Sequence, residues 1–165
     1  LVPSVDWLLY TTELVDTAQA CEAVVDAYRT RWLIEEFNAA LKTGCAYEDR
    51  EFETLHALLN TLAVSLPIAC ELLWLRSRAR DCPDAPATEV LNQRQIEILR
   101  VVGSRPLSSS PTAQEALLAV AGLGGHLKRN GPPGWHVLQR GMNQLLAYEV
   151  GWAAAEQRAQ RREKM

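Results

Sequence analysis

Between Tyr28 and Lys42 the sequence YRTRWLIEEFNAALK sets Leu33, Phe37 and Leu41 four residues apart, with charged and polar side chains on the positions between. A strand would need apolar residues at every second position, so this spacing demands an amphipathic helix. At about 100° per residue, with Tyr28 at zero, Leu33, Phe37 and Leu41 fall near 140°, 180° and 220°, the face that must meet a core. Tyr28, Arg31, Glu35 and Lys42 fall within a stripe about 60° wide on the opposite side, running ~21 Å along the axis. Glu36 lies about 100° away from Glu35, outside the stripe.

The rest of the chain repeats this helical grammar between breakers. Asp16 with Gln19 reads as a capping box that opens a long helix to Thr43, with Gly44 at its C-terminal cap and Lys42 in its last turn. A second long helix covers about 51–80, with Pro67 inside and Arg76, Arg78 and Arg80 at its end. The segment DCPDAPAT (81–88) has the composition of a linker. Asn92 and Gln95 cap a helix to Val102, and Ser110-Pro111 opens another to Ala121 with proline at its first position. The GLGG and NGPPG clusters break the chain before a last helix from Trp135 into the basic tail. In that helix Trp135, Leu138, Met142, Leu145 and Trp152 form an apolar stripe interrupted by Glu149. Packing within the same chain is the first use for such a stripe, and a partner subunit the second. Ahead of all this, Val5–Thr12 (VDWLLYTT) reads as a strand.

Composition narrows the classes. The 165 residues carry a net charge of −3, which disfavours a wholly basic nucleic-acid binder, but the charge is uneven: residues 1–60 are net −7 and residues 61–165 net +4. Cys21, Cys45, Cys70 and Cys82 make no CxxC pair, and His56, His126 and His136 make no HxxxH pattern, so reduced thiols are expected rather than a zinc site. No signal peptide is visible, and Ala57–Cys70, the longest uncharged apolar run, contains Asn60, Thr61, Ser65 and Pro67; a buried helix is expected there, not a membrane span. The first residue is Leu1 rather than Met, as in a fragment of a longer reading frame. GLGGHLKRN lacks the spacing of a phosphate loop.

On spacing alone the stripe has a plain explanation, a solvated face with an Arg31–Glu35 ion pair worth roughly 0.2–0.5 kcal/mol. Its chemistry suggests another. A carboxylate flanked by Tyr, Arg and Lys can hold a divalent metal beside a phosphodiester whose oxygens the cations grip. Tyr28-x2-Arg31-x3-Glu35-x6-Lys42 resembles the Y(2)R(3)E(6)K signature of bacterial insertion-sequence-four transposases, the group of the transposon-five enzyme. The surrounding WLLYTT and YRTRWLIEEFNAALKTG resemble the same region, and LGGHLKRNGPPGWHVLQRGMNQLL resembles the family's C-terminal dimerisation region.

The resemblance implies the C-terminal edge of an RNase H-like α/β catalytic core (one strand plus long helices, residues 1–80), followed by an α-helical dimerisation subdomain (81–165). It implies cut-and-paste transposition of transposon-end DNA by a homodimer, with Mg²⁺ or Mn²⁺ held by two aspartates and a glutamate, in the bacterial cytoplasm at the nucleoid. By position Glu35 is the third metal-binding acid. Tyr28, Arg31 and Lys42 hold DNA near the cut end, Trp7 stacks on a flipped base, and Trp32 is a second aromatic near the hairpin. A base taken out of its stack needs such a partner; without the resemblance Trp7 reads equally well as a core aromatic. Two departures stand out. Ala39 replaces a lysine of the transposon-five stripe, and Asp6, Asp16 and Asp26 lie too close to Glu35, in the wrong elements, to serve as the first two aspartates. The chain alone is therefore expected to be inactive. The alternative is a non-catalytic helical module that dimerises and inhibits intact transposase.

Overall fold

The computed structural model describes residues 8–46, 50–127, 129 and 131–163. The chain is mainly helical: α1 (Ala18–Thr30), α2 (Trp32–Ala39), a π-helical turn (Ala40–Gly44), α3 (Leu55–Asp81), a 3-10 turn (Ala87–Glu89), α4 (Gln93–Val102), α5 (Ala113–Leu123) and α6 (Trp135–Glu163). It divides into two compact units, Leu1–Glu36 and Phe37–Met165.

In the first unit the expected strand is absent from its described part. Residues 8–12 carry no strand, and Leu8 and Tyr10 are 78% and 92% exposed; Val5–Trp7 lie outside the described residues. With no strand beside it among the described residues, the segment leaves its backbone groups to water, and nothing there selects the strand conformation. The helix that follows is capped by Thr17 rather than Asp16, the Thr17 hydroxyl accepting from the Ala20 N–H at 3.1 Å. It does not run unbroken to Thr43. α1 ends at Thr30, Arg31 forms a turn, and α2 begins at Trp32. No residue of α1 is buried, and Leu33, expected on a core face, is exposed.

The second unit has its own core. α3 contributes one stripe, Ser65, Ala69, Leu72, Leu75 and Ala79, at the three-and-four spacing of a single helix face. The opposite side is open, since Leu55, Leu59, Val64 and Trp74 are exposed. The expectation of a buried helix over 57–70 is thus corrected: α3 is long and apolar enough to cross a membrane by length and composition, and only 22% of its most apolar stretch is buried. Its helix starts at the Thr54 cap, later than expected, and Pro67 lies within it.

Leu72, Leu75 and Ala79 share one core with Ile96, Ile98 and Leu99 of α4, Ala116, Leu117 and Val120 of α5, and Leu138, Met142 and Leu145 of α6. α5 is central because its small residues (Ala113, Ala116, Ala119, Ala121) allow neighbours on several sides. Of the α6 stripe, Leu138, Met142 and Leu145 are buried in this core and Trp135 packs against it, whereas Trp152 is 36% exposed. Glu149 interrupts the stripe because it has partners of its own: Asn92 Nδ2 and Gln95 Nε2, both in the cap of α4, donate to its two oxygens at 3.0 and 3.1 Å. α6 runs on into the basic tail as far as Glu163. A smaller cluster joins Ala40 and Cys45 to Ala69, with Phe37 and Leu41 half-buried against it. Gly44 is the last residue of the π turn; Cys45 caps it, and Ala46 adopts the left-handed conformation (φ 50°). Burial pushes the Cys45 thiol above its ordinary pKa, Arg50 opposing.

Residues 81–88 are not a linker. Pro83 and Ala85 offer carbonyls to the first-turn N–H groups of α5, which have no partner within the helix: Ala113 N donates to Ala85 O at 2.7 Å and Gln114 N to Pro83 O at 3.1 Å. Ala87 is buried in the main core, and Arg78 of α3 pairs with Glu89. Residues 81–88 lie within the compact unit Phe37–Met165.

α4 carries the expected Asn92–Gln95 capping box. α5 instead caps on Thr112, with Glu115 closing a second box, so Pro111 precedes the helix rather than opening it. Glu115 accepts from the Ser108 hydroxyl at 2.7 Å and the Thr112 N–H at 3.0 Å, bonds that hold its carboxyl below the ordinary range. A carboxyl depressed on folding adds stability that is complete above its unfolded pKa, about 4.3, and lost as pH falls through the folded value. Glu115→Gln is expected to flatten that acid limb in urea titrations from pH 3 to 6. An unchanged acid limb would remove Glu115 from the pH response.

Candidate functional site

The stripe assembles in part. Tyr28 lies in the last turn of α1, Arg31 at the break and Glu35 in the first turn of α2, all within the first unit. Three- and four-residue helical spacing survives the turn at Arg31, whose backbone keeps right-handed helical angles (φ −56°, ψ −33°). The Arg31 guanidinium sits 5.6 Å from the Tyr28 ring centroid, and its Nη1 donates to Glu35 Oε1 at 3.0 Å. Hydrogen bonding to Glu35 first, and to Tyr28 second, raises the Arg31 pKa further above its ordinary value. The side chains of Arg31 and Glu35 are 49% and 50% exposed, so the pair contributes little to stability. Its consequence is positional: it holds a guanidinium and a carboxylate side by side in reach of solvent.

The other expected site residues fare differently. Trp32, the first residue of α2, is 62% exposed. Lys42 belongs to the second unit and lies in the π turn, where the α-helical register used to place it on the stripe no longer holds. Trp7 lies outside the described residues.

The described residues do not by themselves make up a complete divalent-metal centre. Such a centre needs several oxygen ligands converging on one point, two-metal sites more so. Glu35 supplies one carboxylate, and one of its oxygens already accepts from Arg31. Among the described residues no three or more His, Cys, Asp or Glu side chains come together. What the cluster can do is bind: a phosphate approaching the exposed guanidinium can take the place of Glu35 as its partner, freeing the carboxylate.

A second arginine cluster was visible in the sequence, but its partners were not. Arg78 pairs with Glu89 and Arg80 with Asp81, while Arg76 lies over the Trp135 ring, 4.4 Å from its centroid. Only the chain fold brings position 76 to position 135, and no local pattern signals it. The chain matches no family model.

Proposed function

We propose that the chain is the C-terminal part of a cut-and-paste DNA transposase of the DDE type. Glu35 is then the third catalytic acid, Tyr28, Arg31 and Lys42 hold transposon-end DNA, and Trp7 and Trp32 serve displaced bases. The observation that carries this reading is the Tyr28–Arg31–Glu35 contact set, exposed and joined by the spacing of the transposase signature. The exchange available to Arg31 gives it a mechanical meaning, because DNA binding would release the carboxylate that the chemistry needs. Exposed Leu33 and Ile34, with an α1 that buries nothing, suit elements that complete an RNase H-like sheet in a larger body. Mg²⁺ or Mn²⁺ belongs to that full acid set, of which this chain supplies one member. Homodimerisation falls to the part of α6 beyond the core, where Val150 is 72% exposed, since Leu138, Met142 and Leu145 are already buried. The bacterial cytoplasm, at the nucleoid, is the matching location.

A second reading is favoured by one observation. Residues 37–165 hold a core to which Tyr28, Arg31 and Glu35 contribute no residue, as a separate dimerising module would. Such a module would inhibit intact transposase by forming mixed dimers.

The experiment uses the purified chain and labelled transposon-end DNA with Mg²⁺. The chain alone is expected to leave the DNA intact, and the full reading frame that contains it is expected to cut and join the ends. Nicking by the chain alone would contradict the assignment of the remaining acids elsewhere. An inert full-frame product that nonetheless depresses intact transposase would favour the module.

A further inference from the structure

The second unit contains a groove of about 510 Å³, within the usual range for small-molecule sites, between the end of α3, α5 and the Gly131–Pro133 turn. Leu117, Leu118 and Pro133 supply apolar walls, and Arg76, Arg80 and Gln114 the polar groups. Among the described residues no carboxylate lines it. Arg80 donates to Asp81 at 2.9 Å, so its charge is largely answered. Arg76 has no ion pair with any described residue; its guanidinium carbon lies 4.4 Å from the Trp135 ring centroid, a cation–π contact. A cation–π contact supplies no acceptor atom, so the N–H donors of Arg76 are left for a ligand, and a carboxylate can take two of them in a two-pronged bond. The prolines keep the wall rigid, so little conformational freedom is lost on binding.

We propose that this groove binds a small apolar carboxylate, its hydrocarbon body against Leu117, Leu118 and Pro133 and its carboxylate on Arg76. The charge of the lining selects the anion, and the apolar walls select the body. This proposal is independent of the transposase reading.

The test titrates the 165-residue chain with naphthalene-2-carboxylate, and separately with the neutral naphthalene-2-carboxamide, following the Arg76 Nε–H resonance by NMR. Saturable binding of the carboxylate is expected, with the carboxamide weaker by roughly tenfold or more, since it cannot form the charge-assisted pair. Arg76→Gln is expected to abolish that preference. Leu118→Glu, which puts a like charge in the wall and leaves the Arg76–Trp135 contact in place, is expected to abolish carboxylate binding, and it carries the test should Arg76→Gln fail to fold. No saturation at millimolar carboxylate, equal binding of the two probes, or undiminished carboxylate binding by folded Leu118→Glu would each overturn the proposal.

Discussion

Gly141→Ala is expected to destabilise the chain by about 3 kcal/mol, lowering Tm by roughly 6–12 °C. A Cβ at position 141 of α6 would stand 1.9 Å from the Val120 carbonyl oxygen and 2.8 Å from its carbon. The obstacle is backbone, which cannot swing aside as a side-chain tip would. The contact is mutual, because a Cβ on Gly124 would stand 1.9 Å from the Val137 oxygen. The C-terminal end of α5 and α6 therefore cross backbone to backbone, and parting them would open the packing of Val120, Leu138 and Met142, all essentially inaccessible to solvent. Gly151→Ala on the same helix is the control. A Cβ there meets nothing within 4 Å, so alanine's better helix propensity should stabilise by up to about 1 kcal/mol. Thermal unfolding of the two variants, followed by circular dichroism, should move in opposite directions. A Gly141→Ala variant as stable as the parent would mean that the two helices do not cross this closely.

What the sequence made legible was short-range. The Asn92–Gln95 box and the Tyr28–Arg31–Glu35 contacts involve residues three and four apart, and helical geometry alone brings such residues together. The errors at helix starts were equally local. Asp16 and Pro111 are good first-turn residues, but Thr17 and Thr112 lie one position further on, and a threonine hydroxyl bonded to an N–H two or three residues into the helix decided each start. The break at Arg31 was hidden because the apolar period runs straight through it. Lys42 was placed by extending an α-helical count through residues that form a π turn.

Long-range packing explains the rest. Composition marked Asp81–Thr88 as a linker, yet its carbonyls complete the N-terminus of α5. The apolar run in α3 suggested burial, but a helix apolar on most sides presents only one stripe to its neighbours here. Neither the partners of Glu149 nor the cation–π contact of Arg76 with Trp135 has any signature in the order of the residues.

The most direct measurement compares Glu35→Gln with Glu36→Gln in the full reading frame containing this chain, scored by Mg²⁺-dependent cleavage of transposon-end DNA. The two substitutions are adjacent and remove the same charge, so they separate the role of one carboxylate from the effect of net charge. Their surroundings differ. Glu35 accepts from Arg31 on the exposed face beside Tyr28, whereas one oxygen of Glu36 is buried away from solvent. If Glu35 completes the catalytic acids, its amide should lower the cleavage rate by roughly a thousandfold, the equivalent of several kcal/mol of transition-state stabilisation. Glu36→Gln should stay within about tenfold of the parent. Folding of both variants is checked by circular dichroism, and binding of the same DNA by gel shift. A folded, DNA-binding Glu35→Gln protein that cuts at the parental rate would contradict the central claim.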